Sequence, residues 1–534
     1  MAITPRPLIL IRGFGGPDVQ DEQRDAYQGF NDGTVYPGRR GDNYIYEGFV
    51  LRALKSQFYP YRDATNVVSY HHQDVVESRE FDERPNGLVV DIPMAKQVIE
   101  QGIAGTLWIY RYYDLLPRSV ENYGKGLIRL IDIIKDLSEQ AEEEFTGVDI
   151  VAHSLGGLIA RAALEGRSEA ENKRLVHRIV TLGTPHRGIS FQVLPTWLVR
   201  RLPTAMRDEL DAFGSRRSDV QSIPFPSRDI LTVVGTDYRT YGNKFASAGN
   251  RLTNLLDEGT LAYNRSDGLV KQTAAQLPRS PRTFVHKCHG GRDSLITSRE
   301  AYEIAMRFLH GTHHIELRLN KAEISAARGR DAFGKSEFYF GVSIKPRYFD
   351  FDLFHQSADA QNCYGPFREL DLMDALPDLE AELEEPLSES DTGSWAGPDR
   401  LIWEGWVDAK AKPAEVVDKT LVFRLDVYLG ERDSFGVGFS DNVVFRKQYY
   451  VQAVPGKKPA LYLHTGEKYL APEVSAKQLR EAAEQESKDV LRMQPTGDAS
   501  LNTWQFEIDD AGFKASLAVS VKSSTAQKSA VRTA

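Results

Sequence analysis

The sequence predicts an α/β domain, in which a mostly parallel sheet is covered by helices, followed by a mainly β, sandwich-like domain. Two observations carry this. Up to about residue 310, short apolar runs alternate with helical patterns, and beyond about residue 311 the apolar residues recur with period two. A third observation, a serine on a glycine-rich turn between a strand and a helix, places chemistry in the first part.

In the first part the strands are short and almost wholly apolar, as expected of parallel strands buried on both faces. They are expected at Leu8 to Ile11, Asn66 to Ser69, Thr106 to Tyr110, Val148 to Ala152, Val176 to Leu182, Ile230 to Gly235 and Thr283 to Lys287. Between the third and fourth, Leu127, Leu130, Ile131, Ile134 and Leu137 fall at three- and four-residue spacing, which predicts an amphipathic helix over Glu121 to Glu142. Further helices are expected from Leu158 to Leu164 and from Arg299 to Leu309.

In the second part, alternation is read in four runs: Ile315, Leu317 and Leu319; Phe338, Phe340, Val342 and Ile344; Leu421 to Leu429; and Phe513 to Val521. Antiparallel strands with one buried face are the expectation. The acidic, proline-containing stretch from Leu370 to Asp391 reads as an exposed loop, and Ser475 to Met493 as a helical patch. The domains are therefore set at 1–311 and 312–522, with a flexible tail over 523–534.

Composition narrows the function classes. The 534 residues carry a net charge of -9 and a pI near 5.8, which argues against nucleic acid as a partner. Cys288 and Cys363 are the only cysteines, so a disulfide framework is excluded and a reducing compartment, the cytoplasm, is expected. The N-terminal residues lack the pattern of a secretory signal, and no window reaches the roughly 20 apolar residues of a membrane span. Any membrane contact is expected to be peripheral.

A serine hydroxyl is a weak nucleophile, and it needs a neighbouring base and a backbone that presents its oxygen. In Ala152-His153-Ser154-Leu155-Gly156-Gly157, a strand feeds a helix through a turn that carries Ser154. Small residues, Ala152 and Gly156, flank it where side chains would clash. This run resembles the nucleophile elbow of the α/β-hydrolase superfamily, with Ala replacing the usual first glycine. Leu182-Gly183-Thr184-Pro185-His186-Arg187-Gly188 is similar to the segment that follows the next strand in bacterial lipases and in inositol-deacylase-like (PGAP1-like) hydrolases. The resemblance covers roughly residues 7–310.

It implies a Ser, acid, His order along the chain. His289, in His286-Lys287-Cys288-His289-Gly290-Gly291, is the expected base, with His286 as competitor. Asp267, in Ser266-Asp267-Gly268-Leu269-Val270, resembles the Asp-Gly-Leu-Val turn of lipases and is the expected acid; Asp237 competes. His153 and His186 are assigned to loop packing. The oxyanion donors are expected to be the amides of Leu155 and of Phe14, the latter in Ile11-Arg12-Gly13-Phe14-Gly15-Gly16, where Arg12 stands in place of the family's His.

The implied reaction is hydrolysis of a carboxylic ester of an apolar acyl chain, a small-molecule or lipid substrate, through an acyl-enzyme. Phospholipase, amidase and acyltransferase chemistry use the same residues. Residues 189–225, with Phe191, Trp197 and Leu202 among arginines, read either as a lid or as a helix packed on the sheet. A different class of reading makes the β domain a binder of lipid, glycan or protein through aromatics such as Tyr348, Phe351, Phe354 and Tyr449, which read more readily as sheet core. No cofactor and no metal is expected: His71 and His72 are adjacent rather than a helical turn apart, and the Gly13 to Gly16 turn lacks the lysine of a phosphate loop.

Overall fold

The structure is a computed structural model. It describes residues 5–13, 30, 33–35, 43–45, 48–69, 89–112, 115, 118–188, 223–237, 266–277, 279–290, 294–324, 336–357, 360, 362–368, 400–411, 421–433, 442–454, 460–465, 469, 475–485, 490–496, 502–510 and 513–524. Two compact units are present, one of residues 1–281 with 287–310 and one of 282–286 with 311–534.

The sheet strands are β1 (Leu8–Ile11), β2 (Arg62–Asp63), β3 (Thr106–Tyr110), β4 (Val148–His153), β5 (Val176–Leu182), β6 (Ile230–Gly235) and β7 (Arg282–Val285). The first six form a sheet in the order β6-β5-β4-β1-β3-β2, and β7 falls in the second unit. From β2 through β6 every neighbouring pair is parallel. β1 and β4 are buried along their whole length; β1 is apolar throughout, and β4 is apolar except for His153 at its end and Asp149, whose carboxylate lies 2.9 Å from His177 Nδ1. Helix α1 (Val120–Gln140) is capped by Ser119, whose side chain accepts from Asn122 N–H, and buries the stripe of Leu127, Leu130, Ile131, Ile134 and Leu137. Helix α2 (Leu155–Leu164) follows β4 with no intervening loop, and α3 (Arg299–His310) closes the unit. This is the α/β-hydrolase fold.

One expected strand is corrected. The sheet edge is Arg62–Asp63, whereas Val68–Ser69 pairs antiparallel with Val89–Val90 outside the main sheet. The cause is a turn: Thr65 N–H donates to Asp63 Oδ1 and Val67 N–H to the Ala64 carbonyl, which takes the chain off the edge before Val68.

The second unit contains two antiparallel sheets. One joins β8 (His313–Ile324), β10 (Arg400–Val407), β14 (Thr503–Asp510) and β15 (Phe513–Ser523) in the order β10-β8-β15-β14; the other contains β9 (Ser336–Pro346), β11 (Leu421–Asp433), β12 (Asn442–Val454) and β13 (Ala460–His464) in the order β9-β11-β12-β13. The period-two residues meet in register: Ile315 opposite Val521, Leu317 opposite Val519 and Leu319 opposite Leu517 in the first sheet, with Phe340 opposite Leu429 and Val342 opposite Val427 in the second. Ring contacts of Phe513 with Phe340 and Phe445, and of Phe506 with Tyr449, join the two sheets face to face. Phe351, Phe354 and Tyr449 are buried.

A second correction falls in this unit. The helix expected over 475–493 ends at Glu484, and Val490–Arg492 is a strand on β13, where Val490 is buried. The acidic stretch over 370–391 lies outside the described residues. No helix among the described residues is long and apolar enough to cross a membrane.

Candidate active site

β4 delivers Ser154 to a tight turn at φ 51° and ψ -124°, a backbone conformation that L-residues rarely adopt. The turn is held by its own main chain. Ser154 N–H donates to the Leu182 carbonyl at 3.0 Å, and Gly157 N–H donates to the Ser154 carbonyl at 3.1 Å. Gly156 is required by close approach rather than by dihedral angle. A methyl group there would run into the carbonyl oxygens of Ile11 and Arg12, which are backbone and cannot swing away. The strain at Ser154 lifts its hydroxyl out of the strand line at the N-terminus of α2, where the helix's first N–H groups have no intrahelical partner. Leu155 is the first residue of that helix.

The serine hydroxyl donates to His289 Nε2 at 2.9 Å, and His289 Nδ1–H donates to Asp267 Oδ2 at 2.8 Å. Since a carboxylate only accepts, this bond sets the imidazole tautomer, leaving the Nε2 lone pair to receive the serine proton. Asp267 is itself fixed. Its Oδ1 accepts from the amides of Val270 at 2.8 Å and Leu269 at 3.1 Å, while its main-chain carbonyl accepts from His289 N–H at 2.8 Å. Ser154, Asp267 and His289 are 7%, 1% and 3% exposed, so their hydrogen bonds operate in a medium that strengthens them.

Gly183 makes room for this pair. It sits at φ 56°, and a β-carbon on it would come within 2.8 Å of Asp267 Oδ2 and 3.2 Å of His289 Nδ1. The Leu182-Gly183-Thr184-Pro185-His186 run therefore belongs to the site through the space it leaves, a role that the sequence motif alone did not specify. His186 is buried beside it, its Nε2 within 3.0 Å of Thr181 Oγ1 and its carbonyl accepting from Arg161. Burial and the Arg161 charge hold its pKa well below the ordinary imidazole value.

Of the residues singled out in the sequence, Ser154, Asp267, His289 and the Leu155 amide are brought together. Asp237, the competing acid, is buried, but it is not the carboxylate on His289; its main-chain N–H donates to the Lys287 carbonyl. His286 has its ring 5.9 Å from that of His355. Phe14, the second oxyanion donor expected from sequence, lies outside the described residues, as do His71, His72 and residues 189–222 of the expected lid. The described residues contain no cluster of three or more His, Cys, Asp or Glu arranged to hold a metal ion.

Comparison with known proteins gives one family: residues 117–221 match the model of the PGAP1-like alpha/beta domain, a stretch that includes Ser154 and the Gly183 segment. No curated protein sequence matches the chain. Among solved structures, the lin2722 gene product of Listeria innocua is similar at 14% identity over 57% of this chain and 94% of that one, with a TM-score of 0.27. Phospholipase PlaB of Legionella pneumophila is similar at 13% identity over 68% and 85%, also with a TM-score of 0.27.

Proposed function

We propose, from the α/β-hydrolase architecture of the first unit, that the protein is a serine hydrolase of carboxylic esters with apolar acyl chains. Ser154 is the nucleophile, His289 the base and Asp267 the residue that orients and stabilises the imidazole. The unbroken relay from Asp267 through His289 to Ser154, on a strained strand-to-helix turn, carries this reading.

In the first half-reaction the Ser154 oxygen adds to the ester carbonyl as its proton passes to His289 Nε2. Negative charge gathers on the carbonyl oxygen, stabilised by the Leu155 amide and the positive end of the α2 dipole, with the Phe14 amide as second donor. Collapse expels the alcohol, which takes the proton from His289. Water, deprotonated by the same imidazole, then attacks the acyl-enzyme and releases the acid. The preference for an apolar acyl group is supported by the apolar residues of 189–225 and by the resemblance of the two motifs to lipases and deacylases.

The test is hydrolysis of p-nitrophenyl esters of increasing chain length by wild type and Ser154→Ala. The variant is expected to lose several orders of magnitude in kcat, and the wild type to favour chains longer than acetate. Equal rates for the two proteins would remove the proposed nucleophile. A flat or falling chain-length profile would remove the apolar acyl preference and leave the triad standing.

A further inference from the structure

A second imidazole sits directly before the nucleophile. His153 is the last residue of β4 and only 8% exposed, and its Nε2 lies 2.9 Å from the main-chain carbonyl of His289. A carbonyl can only accept, so His153 Nε2 carries the proton and donates it. The two rings stand 4.9 Å apart, tilted by 41°. Thus the residue covalently joined to Ser154 also grips the backbone of the base, across 136 positions of sequence.

We infer that His153 is a positioning residue for the base: its Nε2–H fixes the His289 main chain relative to Ser154, so that the imidazole stays within reach of the serine hydroxyl. This rests on the triad reading above and goes beyond it, since the sequence motifs assigned the residue before the serine to loop packing alone. Two features favour it over simple packing. The His289 backbone is held on two sides, with its N–H on the Asp267 carbonyl and its C=O on His153, so both bonds act on the same residue whose ring bridges the triad. The other nitrogen of His153, Nδ1, is buried and has no hydrogen-bond partner among the described residues, so the ring is retained although it leaves one acceptor unsatisfied. An apolar side chain would fill the same space without that cost.

His153 also remains neutral. Burial, the neighbouring His289 and the Arg12 charge hold its pKa well below the ordinary imidazole value. A neutral Nε2–H donor therefore persists beside His289 while that ring takes up and releases its proton. His153 itself adds no positive charge beside the imidazolium.

The test compares His153→Leu, His153→Gln and His153→Asn, each measured for kcat and KM on a p-nitrophenyl ester and normalised to the sites labelled by a fluorophosphonate. A Gln amide nitrogen reaches as far from the backbone as imidazole Nε2, whereas an Asn amide is one methylene shorter. We expect the Leu and Asn variants to lose kcat on the order of 10²-fold, the scale of misplacing a catalytic group by about 1 Å, with KM nearly unchanged. Gln is expected to recover most of the loss. A packing role predicts the reverse order, with Leu the best tolerated, and that result overturns the proposal; so do equal losses for Gln and Asn, a comparison that stands even where the Leu variant does not fold. Ser154→Ala run in parallel separates the two levels: its retaining activity defeats the triad reading, whereas an inactive Ser154→Ala with a fully active His153→Leu defeats the positioning role alone.

Discussion

Replacing Asp267 by asparagine tests the relay by tautomer. In the native site Oδ1 accepts from two backbone amides, those of Leu269 and Val270, while Oδ2 accepts from His289 Nδ1–H. An asparagine has one accepting and one donating end. Turning its NH2 toward two N–H donors would leave three donors facing one another, so its oxygen must occupy the Oδ1 place and its NH2 must face His289 Nδ1. The imidazole then has to accept at Nδ1, which moves its proton to Nε2. From there it faces Ser154 as a donor and cannot take the serine proton. Loss of the carboxylate also removes the charge that stabilises the imidazolium. Together these are expected to cost about 10⁴-fold in kcat, or ~5 kcal/mol of transition-state stabilisation.

Asp267→Ala supplies the control, because it removes the charge without imposing a tautomer and should retain more activity than Asp267→Asn. Steady-state hydrolysis of a p-nitrophenyl ester at pH 8, with thermal melts to confirm folding, measures both. A loss below tenfold in a folded Asp267→Asn protein, or an Ala variant far worse than the Asn variant, would refute the assignment of Asp267 as the acid. Asp237→Asn should leave kcat within a few-fold of wild type.

Other expectations follow from the same geometry. His289→Ala should reproduce the inactivity of Ser154→Ala, whereas His286→Ala should keep its kcat in the same ester assay, because its ring is not the one on the serine. Gly156→Ala places a methyl group against the carbonyls of Ile11 and Arg12 and should destabilise the protein by about 1–3 kcal/mol in urea unfolding, with a fall in kcat as β1 is pushed from the serine turn. Stability should also depend on acid. His310, buried with its Nε2 2.7 Å from the Tyr61 hydroxyl, has its pKa pushed down to about 4, chiefly by burial. The unfolded chain binds a proton at this residue near pH 6.5 and the folded chain does not, so this contribution is intact above pH 6.5 and is lost as pH falls toward 4. The loss amounts to about 3 kcal/mol. Urea midpoints between pH 7 and 4 should show it, and His310→Gln, whose amide offers Tyr61 a hydrogen-bond partner of either kind but does not titrate, should flatten the slope.

The two hydrophobic periods sufficed to read both architectures from the chain. A parallel strand buried on both faces is largely apolar, as β1 is throughout and β4 is apart from Asp149 and His153, and a sandwich strand has to alternate, as Phe340 and Val342 do opposite Leu429 and Val427. The serine turn was legible for a related reason: its strain and crowding are local, so the need for Gly156 is written within a few residues of Ser154. Edge strands were less legible. Where Val68–Ser69 departs from the sheet, an Asp63 side chain redirects a segment whose β propensity is unchanged.

Motif resemblance favoured Asp267 over Asp237 and His289 over His286, but the distances that join one of each to Ser154 belong to tertiary structure. Each pair has the right chemistry and stands in the right order along the chain. Which member reaches the serine depends on where β4, β5 and the two loops converge in space, and distance is not a property of sequence. The same holds for Gly183, whose importance is the volume it leaves beside Asp267 and His289, and for His153, whose ring spans to a carbonyl 136 positions away. The sequence by itself determined the residue types and the strained turn on which the proposed acyl transfer rests. Only the packed sheet decided which carboxylate and which imidazole are held within hydrogen-bond distance of Ser154, because those contacts are set by long-range burial and not by neighbours along the chain.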